Sequence, residues 1–215
     1  MLQRVNIGCG DVPTPDWINF DNSMSVRLSR FPLVITVLEK LRVIGAGEKD
    51  FAARAQQMGI KWADVTRHIP LPDNSVDALY TSHMMEHLDK DEVRTFLREA
   101  RRVLSPGGTI RVVVPDIRIL VDKYLAEGDA DVMVFDSYLW RAMPKTFAEK
   151  VKDFVIGDRH HKWMYDGPSM SRLLLEMGFE RPVVLPPGKT TIPNPGELDL
   201  ARYPDMSVYV EACKP

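Results

Sequence analysis

The run Val5-Asn6-Ile7 breaks into Gly8-Cys9-Gly10-Asp11, and a second short apolar run, Trp17-Ile18-Asn19-Phe20, comes almost at once and ends on Asp21. Apolar runs this short suit buried strands rather than helices. Two glycines at a strand end let the backbone turn sharply and leave the main chain bare for a ligand to approach. A carboxylate at the end of the neighbouring strand can accept hydrogen bonds from both hydroxyls of a ribose. Together these features outline a nucleoside site at the edge of an α/β sheet. A Gly-x-Gly pair also shapes ordinary turns, so the order of the strands and motifs downstream of it has to decide.

Strands and helices alternate along the rest of the chain. Ala78 to Thr81 and Thr109 to Val114 are apolar enough to be buried strands, and a last strand is expected over Ser207 to Ala212. Asp91 to Leu104 is predicted to be an amphipathic helix: Val93, Phe96, Leu97, Ala100, Val103 and Leu104 fall on one face, and Arg94, Arg98, Arg101 and Arg102 elsewhere as a solvated surface. Ser105-Pro106-Gly107-Gly108 is expected to stop that helix and turn the chain into the next strand. A further helix is predicted from Ser169 to Met177, after Asp166-Gly167-Pro168. This alternation favours a mostly parallel sheet covered on both faces.

The succession of the glycine loop, Asp21, Trp62-Ala63-Asp64-Val65, Ala78 to Leu88 and Leu104 to Asp116 resembles the class I S-adenosylmethionine-dependent methyltransferases, in particular the small-molecule, type 11-like branch. The resemblance covers residues 4 to 116 and resumes at 166 to 184. It implies a Rossmann-like, doubly wound sheet with an antiparallel last strand, and S-adenosylmethionine as cofactor. By the same resemblance Gly8, Cys9 and Gly10 would bring main chain against the cofactor. Asp21, with Asn22 beside it, would grip the ribose; Asp64 and Val65 would meet the adenine; Ser82 and His83 would lie over the methionine portion. The implied activity is methyl transfer to a small-molecule oxygen or nitrogen acceptor, in one methyltransferase domain over residues 1–215.

The chain departs from that family in two places. Only Val12 to Pro15 separates the glycine loop from the second strand, too short for the helix that normally stands there, so another group must hold the cofactor's carboxylate end. Residues 23–60 form an insertion read as two helices, the first carrying Phe31, Leu33, Val34, Val37, Leu38 and Leu41 as an apolar stripe. It can replace the missing helix, act as a lid, or pack against a second subunit in a homodimer; plain packing is favoured. Asn6 also stands where the family has an acidic residue in the first strand, and Asp11 where it has a third glycine.

Composition narrows the partners. A net charge of −2 offers no general attraction for nucleic acid, and the longest apolar tract, Phe31 to Leu38, falls well short of a membrane span of about 20 residues. Two cysteines make neither a disulfide framework nor a metal cluster, which favours a cytoplasmic setting. His83-Met84-Met85-Glu86-His87 spells H-x-x-E-H, a zinc-protease pattern that needs both histidines one turn apart on a helix. His83 follows a strand directly, so no metal is expected, and Glu86 and His87 are read as capping or orienting the loop. Candidates for proton transfer are His83, His160 and His161, the last two within Asp158 to Asp166. Residues 117–165 are expected to be mainly helical and to cover the substrate side, with Tyr124, Leu125, Phe135, Tyr138, Leu139, Trp140 and Phe147 serving as core or as a roof. Three other readings stay open: a cofactor-binding scaffold without turnover, a zinc hydrolase, and a nicotinamide-dependent oxidoreductase, the last disfavoured by the incomplete glycine fingerprint.

Overall fold

A computed structural model describes residues 3–41, 44–140, 146 and 160–215. Its strands are β1 (Gln3–Ile7), β2 (Ile18–Asp21), β3 (Lys61–Trp62), β4 (Val76–Ser82), β5 (Leu104–Pro115), β6 (Glu180–Leu185) and β7 (Ser207–Cys213). They form one sheet in the order β3-β2-β1-β4-β5-β7-β6. β1 to β5 pair in parallel, and β7 runs antiparallel to both β5 and β6. The expected mostly parallel, Rossmann-like sheet with an antiparallel last strand is therefore what forms.

Side chains alternate across the central strands with period two. Leu79 of β4, Ile110, Val112 and Val114 of β5, and Val208 and Val210 of β7 bury against Val93, Phe96, Leu97 and Ala100 of α4 (Lys90–Val103) and Met170 and Leu174 of the helix at Gly167–Glu176. Ala78, Tyr80, Val113 and Tyr209 turn to the opposite face, where Trp17, Ile192 and Leu198 cover them. The irregular connection between β6 and β7 supplies much of that second layer.

α4 is well bounded. Asp89 caps it, accepting from the Asp91 and Glu92 main-chain N–H groups, while the Glu92 carboxylate accepts from the Asp89 N–H. Arg101 and Arg102 complement the dipole at its far end. The next segment differs from expectation: Ser105 to Gly108 do not form a separate turn but lie within β5, whose register against β4 slips between Val76 and Ala78. Gly107 is left-handed (φ 78°), and a Cβ on Gly108 would meet the Ser105 carbonyl oxygen at 2.9 Å, so the two glycines let the chain enter the strand without a loop.

The insertion contains three helices rather than two: α1 (Met24–Leu28), α2 (Pro32–Lys40) and α3 (Ala46–Gln57). Ser23 caps α1, and Pro32 opens α2, which is why the predicted first helix is split. The apolar stripe predicted there is largely unpacked: Ile35 is buried, whereas Leu33 is 81% and Phe31 57% exposed. Val26 and Ala55 instead bury with Cys9 and Ile60, so α1 and α3 stand against the glycine loop. After β5 come α5 (Ile117–Glu127) and α6 (Ala130–Asp136), with α7 at Gly167–Glu176. Tyr124, Leu125, Phe135, Tyr138, Leu139 and Trp140 are exposed, which corrects their expected place in a core; Phe147, Asp158 and Arg159 lie outside the described residues.

One buried ion pair lies outside the sequence expectations. Arg111 of β5 and Glu211 of β7 are directly paired in register, and their side chains, 0% and 1% exposed, meet at 2.6 Å. Arg111 also donates to the Lys189 and Leu200 carbonyls, and Glu211 accepts from the Thr190 hydroxyl and from Thr191, so the pair fastens the irregular connection onto the sheet. Removing one buried partner leaves the other uncompensated at a cost of roughly 3–5 kcal/mol. Arg111→Leu should lose about that much in urea denaturation, whereas Arg98→Leu on the exposed face of α4 should lose less than about 0.5 kcal/mol. Equal losses would show that the pair does not anchor the sheet.

Candidate functional site

The carboxyl ends of β1, β2 and β4 open into a cleft of about 880 Å³. Gly8, Gly10, Asp21, Asn22, Asp64, Val65 and His83 all line it, so seven of the residues singled out in the sequence come together there. Gly8 and Gly10 are left-handed (φ 70° and 54°), and the main-chain N–H groups of Gly8 and Cys9 both donate to the Phe20 carbonyl. The Cys9 side chain points elsewhere: it is buried with Val26, Ala55 and Ile60, and burial, reinforced by the Asp21 charge, pushes its thiol well up. Cys9 can contribute main chain but no reactive sulfur.

Asp21 ties the site together. One carboxylate oxygen accepts from the Gly10 N–H at 3.0 Å and the other from the Ser23 N–H at 2.8 Å. Each oxygen keeps further acceptor capacity, because an ionised carboxylate offers about four lone-pair directions. Asp64 is held by Thr66, whose hydroxyl donates to it at 2.6 Å, and by Arg67 at 3.2 Å. Ser82 ends β4, but its hydroxyl is buried without a hydrogen-bond partner and is not among the cleft-lining groups.

His83 leaves β4 in a left-handed conformation (φ 51°), its N–H donating to the Val113 carbonyl. The ring lies 2.9 Å from the Ser207 hydroxyl through Nε2 and edge-on to Tyr203. The next turn is a 3-10 turn at Met85–His87, so His83 and His87 do not share a helix, and the zinc-protease arrangement of H-x-x-E-H is not formed. His87 lines the cleft, and its Nδ1 sits 3.0 Å from the His160 carbonyl. His161 is buried rather than on the wall; burial pushes its pKa below the usual imidazole value, only partly offset by the Glu86 carboxylate. Neither His160 nor His161 faces the cleft, whereas Lys162 does.

Several lining residues carried no sequence signal strong enough to single them out. α3 contributes Gly47, Glu48, Phe51 and Arg54, so the insertion walls the cleft beside the place of the missing helix. Arg54 and Lys162 are the cationic side chains on the wall; Lys162 is engaged by Glu92 at 3.2 Å, and Arg54 forms no ion pair among the described residues. Met84 packs against Gly8 so closely that a Cβ there would lie 2.7 Å from its Cγ.

Residues 42–112 match the family model described as a methyltransferase domain. The whole fold is similar to a Thermotoga maritima S-adenosylmethionine-dependent methyltransferase structure, at 19% identity over 100% of this chain and 83% of that one, with a TM-score of 0.54. It is similar also to one from Methanosarcina mazei, at 15% identity over 99% of this chain and 92% of that one, TM-score 0.53. An uncharacterised 37.1 kDa protein of a Streptomyces fradiae transposon is 32% identical over 118 residues, 55% of this chain; the match spans 28% of that relative's length. Residues 42–112 thus match a methyltransferase domain, and the chain as a whole has the fold seen in S-adenosylmethionine-dependent methyltransferases.

The two loop glycines should respond differently to a methyl group. Gly10 has open space around its missing Cβ, so Gly10→Ala should cost roughly 1–2 kcal/mol from left-handed strain alone. Gly8→Ala must also displace Met84, adding about 1–3 kcal/mol of overpacking. Denaturant midpoints of the two variants check this ordering, and the reverse order would contradict the tight contact.

Proposed function

We propose that this chain binds S-adenosylmethionine in the cleft and transfers its methyl group to a small-molecule oxygen or nitrogen acceptor. The observation that carries the reading is the meeting of two left-handed glycines with the Asp21 carboxylate, which binds the glycine loop on one side and presents its remaining acceptor capacity on the cleft wall. In this arrangement the ribose hydroxyls donate to Asp21, the adenine lies against Asp64 and Val65, and the methionine portion runs over Gly8 toward His83. Arg54, which forms no ion pair among the described residues, is the group on the wall that can meet its carboxylate, the role left vacant by the missing helix.

Methyl transfer needs little from the protein beyond alignment. The carbon is already activated by the positive sulfur, so an acceptor lone pair held in line and stripped of water displaces the thioether, and the S–C electron pair returns to sulfur. A hydroxyl or ammonium acceptor must also shed a proton. His83 is an imidazole on the wall that can accept it, while His161, whose pKa burial lowers, stands behind the wall.

Calorimetric titration with S-adenosylmethionine, S-adenosylhomocysteine and NAD tests the donor half of this reading. The two sulfur compounds should bind and NAD should not. Asp21→Ala should weaken donor binding by about 10- to 100-fold, the equivalent of charge-assisted hydrogen bonds worth about 1.5–3 kcal/mol. Unchanged affinity in a folded Asp21→Ala protein would remove Asp21 from the site. Binding without methyl transfer to any acceptor offered would favour the scaffold reading instead.

A further inference from the structure

Glu86 is fully buried, and neither carboxylate oxygen has a hydrogen-bond partner. Its surroundings are imidazoles: His83 Nδ1 lies 3.3 Å from Oε1, and His87 Nε2 and His161 Nε2 each lie 4.0 Å from it. Among the described residues no lysine or arginine pairs with it, and Lys162 spends its ammonium on Glu92. An ionised carboxylate removed from water is costly unless a cation or donors neutralise it. The protein nevertheless builds this pocket firmly. The Glu86 carbonyl accepts from the N–H groups of Lys162 and Trp163, and the His161 N–H donates to the Tyr138 carbonyl, so the chain at 160–163 is laced onto the 3-10 turn.

We infer that Glu86, His87 and His161 form a binding site for a divalent cation of the zinc class. One ligand atom from each can be chosen so that all lie within 4.8 Å of one another. Two imidazoles and a carboxylate form a donor set that suits zinc when further coordination positions stay open. The His87 ring is already set for this role: a carbonyl at Nδ1 fixes the proton there and leaves the Nε2 lone pair toward Glu86. Tetrahedral ligands at about 2.0–2.1 Å from zinc lie roughly 3.4 Å apart, so the two 4.0 Å separations close if each partner shifts a few tenths of an ångström, while the ligand atoms, all within 4.8 Å of one another, draw together around the ion by rotation of the imidazole side chains. His83 stays outside the set, its Nε2 engaged by Ser207. The cluster departs from the expectation that no metal binds, and it uses a histidine some 75 residues away from the H-x-x-E-H run. Of the three, His87 also lines the cleft, so the cluster borders the cleft wall. Metal binding at this site does not require the proposed donor chemistry, and its test uses none.

The full chain, stripped with chelator, should bind about one equivalent of Zn²⁺ in calorimetric titration, and Co²⁺ in its place should give the visible absorption of a four- or five-coordinate nitrogen and oxygen site. Glu86→Gln and His161→Ala should each weaken Zn²⁺ binding by about 100-fold or more, while His68→Ala, an exposed histidine outside the cluster, should leave it unchanged. Melting of the metal-free proteins gives a second readout. Glu86→Gln removes a buried carboxylate that has no hydrogen-bond partner, so without metal it should melt at or above the wild type, and Zn²⁺ should raise the melting temperatures of the wild type and His68→Ala but not those of Glu86→Gln and His161→Ala. No saturable binding, or wild-type affinity in both cluster variants, would overturn the inference. So would a metal-free Glu86→Gln protein that melts well below the wild type, the signature of an imidazolium ion pair in place of a metal site.

Discussion

Two neighbouring parallel strands leave the sheet at the same level and turn in opposite directions. Ile7 of β1 is paired with Thr81 of β4, and just beyond them Gly8 and His83 both adopt left-handed conformations. Gly8 then bonds sideways to Phe20 of β2, and His83 to Val113 of β5. With the strand order reversing between β1 and β4, this divergence opens the sheet's carboxyl edge, and open α/β sheets gather their ligands at such points. The cleft is a consequence of strand order first and of individual side chains second.

What hangs on the two rims is held by main-chain bonding rather than by surface chance. On the β2 rim the Asp21 carboxylate joins the glycine loop to the start of α1, so a ligand approaching it finds a preset acceptor. On the β4 rim the 3-10 turn is bound to the segment at 160–163 through the Glu86 carbonyl and through His87. Both rims draw on distant parts of the chain, and the cleft forms only when the sheet has assembled.

Much of the framework is legible in the sequence because burial leaves periodic traces. The strands around Val5, Ile18, Leu79 and Val112 and the apolar face of α4 can be placed from spacing alone, and Gly8, Gly10 and Asp21 from their positions at strand ends, whereas Asp64 is legible only through the family resemblance. Legibility falls where an apolar stripe has no partner: Leu33 and Val37 carry a helical pattern, yet α2 leaves them exposed, since periodicity reports a face and not what covers it. It falls again for contacts across long sequence distances. Nothing local to Glu86 announces His161, although Arg111 and Glu211 are in principle visible as opposite charges inside otherwise apolar strands. The segment that carries His160 and His161 reaches the turn beyond β4, but adjacent side chains diverge, and the pair sits behind the wall rather than on it.

The close fit of Met84 against Gly8 links the two rims mechanically. Met84 immediately precedes the turn that carries Glu86, so a displacement of the glycine loop is passed across one van der Waals contact to the opposite rim. Any side chain larger than hydrogen at position 8 would therefore press on the base of the opposite rim as well as on its own loop.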